Sequence, residues 1–135
     1  MTSSSALRRA VVPGIAVLGA FSLLLGAWQV LAPRSFYDAL GPFGVYNDHY
    51  LRDYATWSLA YGVALLLALR RPSWRVPLLV LGLLQFVLHA ANHVVDVADA
   101  DPGWIGVFDA LTLGAAAMLL VALLAGAAEE EERAG

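Results

Sequence analysis

The histidines of this sequence stand at spacings that could support metal or acid–base chemistry. His89 and His93 are four residues apart and Asp96 follows three residues later, so helical periodicity brings the three side chains to one face. Helical bundles use imidazoles and carboxylates spaced in this way to hold metal ions, and without cysteine the set favours Zn, Fe or Mn. The same groups could instead form a hydrogen-bonded network between helices, or transfer protons without a metal.

A second polar stretch lies earlier in the sequence, at the start of the second apolar run. His49 and Asp53 are four residues apart, with Arg52 between them, and the stripe they define is incompatible with lipid. We predict His49 as a further metal ligand. His89, Asp53 and Arg52 are the predicted catalytic residues, with Asp53 as a carboxylate partner and Arg52 as an anion clamp. Asp53 could also simply pair with a neighbouring base.

Several other side chains are predicted to contact a ligand. Gln85 and Asn92 share the helical stripe of His89, and an acid follows near the start of the last apolar run. A tyrosine before the second run is interpreted mainly as part of an aromatic belt at the membrane interface, with ligand contact as the alternative. The predicted ligand-binding residues are Tyr46, Gln85, Asn92 and Asp109.

Heme is a subsidiary interpretation of the histidines. Residues four apart on one helix cannot reach both faces of an iron, so the axial ligands would come from two helices. His49 together with His89 or His93 would provide such a pair. Asp96 would end its helix at the negative end of the helix dipole, so it needs a cation such as Arg52, a protonated histidine or a metal.

Composition indicates the environment in which these groups lie. The chain has 135 residues, of which 60% are apolar and 14% are charged. Its mean hydropathy is +0.69. Eleven acids and eight bases cannot cover the surface of a soluble fold of this size, which predicts a membrane protein. The net charge of -3 and the lack of a basic cluster exclude nucleic acid as a partner.

Hydropathy predicts an all-α fold, a transmembrane bundle of four helices. Each apolar run approaches the roughly 20 residues that a helix needs to cross the hydrocarbon core, and lipid leaves helices as the default. Turn-forming residues separate the runs, including Ala32-Pro33-Arg34-Ser35 after the first. The predicted spans are Ala10–Ala32, Asp48–Leu69, Arg75–Val97 and Trp104–Ala127.

Arginine placement predicts that both termini are cytoplasmic in the cell membrane. Two arginines precede the first span and three lie between the second and third, whereas the connection after the first span holds only Arg34 and the connection after the third holds none. The two polar stretches and Asp109 would then share the outer rim of one bundle. We predict a single domain over residues 1–127 and a disordered acidic tail over residues 128–135.

The two polar stretches also carry a resemblance. Tyr46-Asn47-Asp48-His49 with Arg52-Asp53, followed by His89-x-x-x-His93-x-x-Asp96, resembles a group of uncharacterised small four-span membrane proteins widespread in actinobacteria. In size and layout the chain is more weakly similar to DoxX-like proteins, some of which are implicated in quinone-linked redox chemistry. The resemblance implies that the two stretches are important but names no reaction.

The sequence therefore predicts an integral membrane protein with a His/Asp site in the outer half of its bundle. That site would bind a metal ion or a small ligand and could carry out redox or acid–base chemistry on a lipophilic substrate. The alternative is a membrane subunit or assembly factor without catalysis, whose polar residues only fasten its helices. Expected partners are the lipid bilayer, a lipophilic small molecule and a second copy of the chain.

Overall fold

The computed structural model describes residues 3–134, and over this range it is helical without a named strand. The predicted all-α class is confirmed. A short 3-10 turn at Pro72–Trp74 precedes the fourth helix. The helices are α1 Ser3–Leu31, α2 Pro33–Leu40, α3 Asp48–Ala68, α4 Arg75–Val95 and α5 Trp104–Ala134.

Three segments of the described chain are long and apolar enough to cross a membrane: Ser5–Leu31, Pro72–Val95 and Trp104–Arg133. They contain α1, α4 and α5, so the chain has the properties of a membrane protein. At 21 residues α3 is as long as α4, but it lies outside this set. Its first two turns hold Asp48, Arg52 and Asp53, which lower its hydropathy.

The four long helices alternate in direction. Leu66 of α3 lies against Gly19 of α1 and Leu59 lies against Gly26, so the two helices run antiparallel. α1 also packs against α5, and α5 packs against α4. α3 and α4 meet sparsely, chiefly where the Tyr61 hydroxyl donates a 3.0 Å hydrogen bond to the carbonyl of Leu78.

One half of the bundle is tightly packed. This half, called the closed half below, contains the starts of α1 and α4 and the ends of α3 and α5. The absence of a side chain at Gly82 makes room for the Tyr61 hydroxyl there. The buried apolar core lies in this half and includes Val11, Ile15, Leu65, Leu79, Leu120 and Leu123.

Ion pairs between helices complete the closed half. Arg8 of α1 lies 3.2 Å from Glu129, and Arg75 of α4 lies 2.9 Å from Glu130. Arg75 also donates long hydrogen bonds of 3.4 Å to the carbonyls of Ala68 and Leu69. We predicted the acidic run as a disordered tail, but it continues α5. Alanine and glutamate favour helix, and Glu129 and Glu130 meet arginines of other helices.

The other half of the bundle, called the cavity half below, contains the short helix α2. The sequence predicted only a turn here, but Pro33 occupies the first helical position, where its missing N–H and fixed φ are well tolerated. Arg34 and Asp38, one turn apart, form a 3.0 Å ion pair on its outer side. The hydrogen bond that Nε of Arg34 donates to the Asp38 carboxylate raises the pKa of Arg34.

The connection after α2 closes the end of the cavity half. Pro42 accepts a 3.2 Å hydrogen bond from the backbone N–H of Asp101, in the loop between α4 and α5. Phe43 and Ala100 form an isolated antiparallel bridge beside it. Phe43 is thereby held edge-to-face against His93, with ring centres 4.8 Å apart.

Candidate functional site

A cavity of about 550 Å³ occupies the cavity half. All five helices and the connection after α2 contribute to its wall. Most of this wall is apolar, and a volume of this size is typical of sites for small molecules. Its aromatic residues are Phe21, Phe36, Phe43, Tyr54, Phe86 and Phe108.

A chain of polar side chains crosses the wall of the cavity from α3 to α5. Its centre is the histidine pair, in which the Nε2 atoms of His89 and His93 lie 3.1 Å apart. The Tyr54 hydroxyl lies 3.3 Å from Nδ1 of His89, and Nε2 of Gln85 donates to that hydroxyl over 3.5 Å. At the other end, Nδ1 of His93 faces Oδ2 of Asp109 at 3.8 Å.

The polar chain can be satisfied in two opposite hydrogen-bond directions, which depend on the histidine tautomers. The amide nitrogen of Gln85 donates to the Tyr54 hydroxyl, and that hydroxyl either donates to Nδ1 of His89 or accepts from it. Between the two imidazoles, one Nε2 donates and the other accepts. In either direction the chain ends with Nδ1 of His93 facing the carboxylate of Asp109.

The end of this chain at α5 is incompletely satisfied. Asp109 is only 7% exposed, yet the 3.8 Å separation from His93 exceeds hydrogen-bond distance. Among the described residues, Nδ1 of His93 and Oε1 of Gln29 are buried atoms without a hydrogen-bond partner. Gln29 is 1% exposed and also lines the cavity. Such orphaned groups are rare in native structures, where a bound water, ion or ligand commonly supplies the missing partner.

The structure brings together four of the six predicted residues at the last two long helices. His89, His93 and Asp109 all line the cavity. Gln85 contacts the same polar chain through Tyr54 and borders a small adjoining cavity of about 30 Å³. These four residues therefore form one connected group, as the helical spacing and shared depth predicted.

The predicted residues of the first polar stretch lie elsewhere. His49 and Asp53 form a 3.4 Å pair, and Arg52 forms a 3.1 Å pair with Asp48. The side chains of both pairs are largely exposed. The prediction that this stripe faces the interior is wrong, because pairs spaced four residues apart on one helix satisfy each other at its exposed end.

The three remaining predicted residues also lie outside the cavity wall. Tyr46 packs edge-to-face on Tyr37, and its ring lies 5.1 Å from the guanidinium of Arg34. Asn92 is exposed. Asp96 is the residue at which α4 ends, and its backbone N–H donates to the carbonyl of Asn92. Arg52 is not the partner of Asp96.

This placement bears on the predicted metal centre. Within the described part of the chain, no group of three His, Asp or Glu side chains is placed to hold a metal ion. The predicted set of His49, His89, His93 and Asp96 is not assembled, since only His89 and His93 meet. His49, which the heme alternative pairs with His89 or His93, instead pairs with Asp53 on an exposed face.

Sequence reasoning did not place Tyr54 and Phe43 in the site. A signal for Tyr54 was present, because Ser58 and Tyr61 follow it at helical spacing and together define the inner face of α3. Phe43 lies in an irregular connection, where no periodicity reports which way a side chain points. Its contact with His93 depends on the pairing of its backbone with the loop at Ala100.

Comparison with other proteins assigns the chain to a family. No curated protein and no solved structure matches the sequence. The model of a domain of unknown function, DUF4345, matches residues 14–108, from the first turns of α1 to the start of α5. The match includes both histidines of the polar chain, and it agrees with the predicted membership of an uncharacterised family. The chain belongs to the DUF4345 family.

Proposed function

We propose that this protein binds a lipophilic small molecule in the cavity and presents an acid–base group to it. The observation that carries the proposal is an apolar cavity of about 550 Å³ whose wall contains buried polar atoms without partners. Apolar surroundings give affinity for a lipophilic molecule, and a few convergent polar groups fix its orientation. Buried ionisable groups in a membrane protein commonly mark a functional site.

We further propose that α3 is a fourth span. Its register against α1 supports this, because Gly19 meets Leu66 and Gly26 meets Leu59, two contacts about two helical turns apart in the second half of α1. A helix that runs alongside a membrane-crossing helix lies at the same depth. Residues 1–127 would then form a single transmembrane domain in the cell membrane.

Four spans would put both termini on one side of the membrane. The arginines near the start of α1, Arg8 and Arg9, and those between α3 and α4 lie at this end, which favours the cytoplasmic side. The closed half is then the inner half of the bundle. The cavity, at the opposite ends of the same helices, lies in the outer half.

The polar chain suits acid–base chemistry. An imidazole can accept a proton on one nitrogen and release one from the other, so His89 and His93 connect the cavity wall near Asp109 with the hydroxyl of Tyr54. A ligand that binds beside His93 would exchange protons with this chain. Asp53 and Arg52 take no part in this chemistry, because both lie outside the cavity.

Blocking the cavity tests the proposal directly. Ala116 lines the cavity, whereas its neighbour Ala115 is exposed on the outer side of α5. The neutral fluorescent probe N-phenylnaphthylamine is titrated into the protein in lipid nanodiscs, with empty nanodiscs as background. We expect saturable binding that Ala116→Trp abolishes and Ala115→Trp retains. Equal binding by both variants, or no binding above empty nanodiscs, would contradict the proposal.

A further inference from the structure

We propose that the molecule recognised by the cavity is a cation, a lipophilic amine bound as its ammonium form. This inference rests on the proposed function and names the class of ligand. The charges that face the cavity indicate this class. Asp109 is the carboxylate in its wall, and none of the described residues that line it is Arg or Lys.

The polar chain does not supply this carboxylate with a hydrogen-bonded counter-ion. Among the described residues, the group of the chain nearest to it is the imidazole of His93. Nδ1 of His93 lies 3.8 Å from Oδ2 of Asp109, too far to form a hydrogen bond. A negative charge in low-dielectric surroundings attracts a cation strongly and repels an anion equally.

Two of the unsatisfied groups in the wall are acceptors that a hydrogen-bond donor would satisfy, whereas the third, Nδ1 of His93, faces Asp109. Oε1 of Gln29 is an acceptor without a donor, and the Asp109 carboxylate accepts no hydrogen bond from the described residues. Thr112 is not available to either, because its hydroxyl donates to backbone carbonyls of its own helix. An ammonium group donates several hydrogen bonds and accepts none, which matches this deficit.

Aromatic side chains form much of the cavity wall. Five phenylalanines and Tyr54 surround the cavity, and the faces of aromatic rings attract cations, most strongly where water is excluded. A carboxylate among aromatic rings is a suitable site for an ammonium carried on an apolar body. A fatty acid of the same size would fill the same volume but would place its carboxylate near Asp109.

A matched series of ligands tests the class. Naphthylmethylamine, naphthalenemethanol and naphthoate share one ring system and differ in the head group, which at neutral pH is an ammonium, a hydroxyl or a carboxylate. Equilibrium dialysis against the protein in nanodiscs of zwitterionic lipid measures each affinity, with empty nanodiscs subtracted. We expect the amine to bind roughly tenfold more tightly than the alcohol, as for hydrogen bonds to charged groups. The carboxylate should bind most weakly.

A charge-neutral variant identifies the group responsible. Asp109→Asn keeps the shape of the side chain and should lower the affinity for the amine to that for the alcohol, while the affinity for the alcohol itself reports that the variant is folded. The control, Asp53→Asn, removes an exposed carboxylate of the same type and should leave the order of affinities unchanged.

The outcomes separate this inference from the proposed function. If the three compounds bind with similar affinity, or the carboxylate binds best, the cavity exists but does not select cations, and only the inference fails. An amine preference that persists in Asp109→Asn also overturns it. If no compound binds above empty nanodiscs, the proposed function fails together with the inference.

Discussion

The two halves of the bundle differ in whether their buried polar groups have partners. In the closed half, Arg75 meets Glu130 and two backbone carbonyls, and Arg8 meets Glu129, while large apolar side chains fill the space between the helices. In the cavity half, an empty volume separates the helices, and Asp109 and Gln29 carry acceptors that no described side chain satisfies.

This difference separates a structural role from a functional one. Polar groups that only fasten helices are expected to reach one another, because an unpaired buried group destabilises the fold. The arginines and glutamates of the closed half do so. Proteins tolerate unsatisfied groups and unfilled volume mainly where a ligand supplies what is missing, at a cost in stability. The cavity half has both features.

The largest expected effect compares one type of substitution in the two halves. Leu120 and Leu113 both lie on α5, but Leu120 is 1% exposed in the core of the closed half, whereas Leu113 borders the cavity. Leu120→Ala should lower the free energy of unfolding by about 3 kcal/mol, because it creates a void in a packed region. Leu113→Ala should lower it by less than about 1 kcal/mol, because it only enlarges an existing void. Unfolding by SDS in mixed micelles measures both.

Similar losses for the two leucine variants would show that the cavity half is as tightly packed as the closed half. The cavity would then fail as a binding site for the same reason. The comparison holds helix, residue type and substitution constant, so a difference in propensity cannot produce it.

The helices were predictable from sequence, whereas their inward faces were predictable only in part. Long apolar runs predict helices, so the four predicted runs correspond to α1, α3, α4 and α5 apart from their ends, although α3 lies outside the set of segments apolar enough to cross a membrane. The grouping of His89, His93 and Asp109 followed from helical spacing and a shared depth. α2 was missed because a proline after a helix is usually interpreted as a stop, although it also suits the first position of a new helix.

The inward face of α3 was predicted wrongly because charge was taken as evidence of burial. Asp48 and Arg52, and likewise His49 and Asp53, are spaced so that each pair neutralises itself on the helix surface. The residues that do face inwards, such as Ser58 and Tyr61, are less polar and gave a weaker signal. Pairing within a helix therefore has to be considered before a polar stripe is assigned to an interior.

The second prediction concerns the ion pairs of the closed half. Arg75→Gln removes the charge that meets Glu130, together with most of the hydrogen bonds to the end of α3, from a side chain that is 14% exposed. We expect the free energy of unfolding to fall by about 2 kcal/mol. Arg71→Gln is the control, because Arg71 is exposed and stacks on Trp74 only 4.9 Å away, and it should cost less than about 1 kcal/mol.

Ligand affinity of the same variant tests whether the two halves are independent. Arg75 is remote from the cavity, so the affinity of Arg75→Gln for N-phenylnaphthylamine should stay within about twofold of the original value while its stability falls. A variant that loses affinity and stability together would indicate that the two halves unfold as one unit under the conditions of the assay. The separation of roles between them would then be wrong.

The smallest expected effect on stability is that of Asp109→Asn. The carboxylate accepts no hydrogen bond from a described side chain, so its replacement by a neutral amide of the same shape removes a desolvated charge without breaking a contact. We expect the free energy of unfolding to change by less than about 1 kcal/mol, in contrast to Arg75→Gln, and the change could be stabilising. A loss of more than about 2 kcal/mol would show that Asp109 fastens α5 to α4 through His93. The polar chain would then serve the same structural purpose as the arginine–glutamate pairs, which is the role of a subunit held together by an interhelical network.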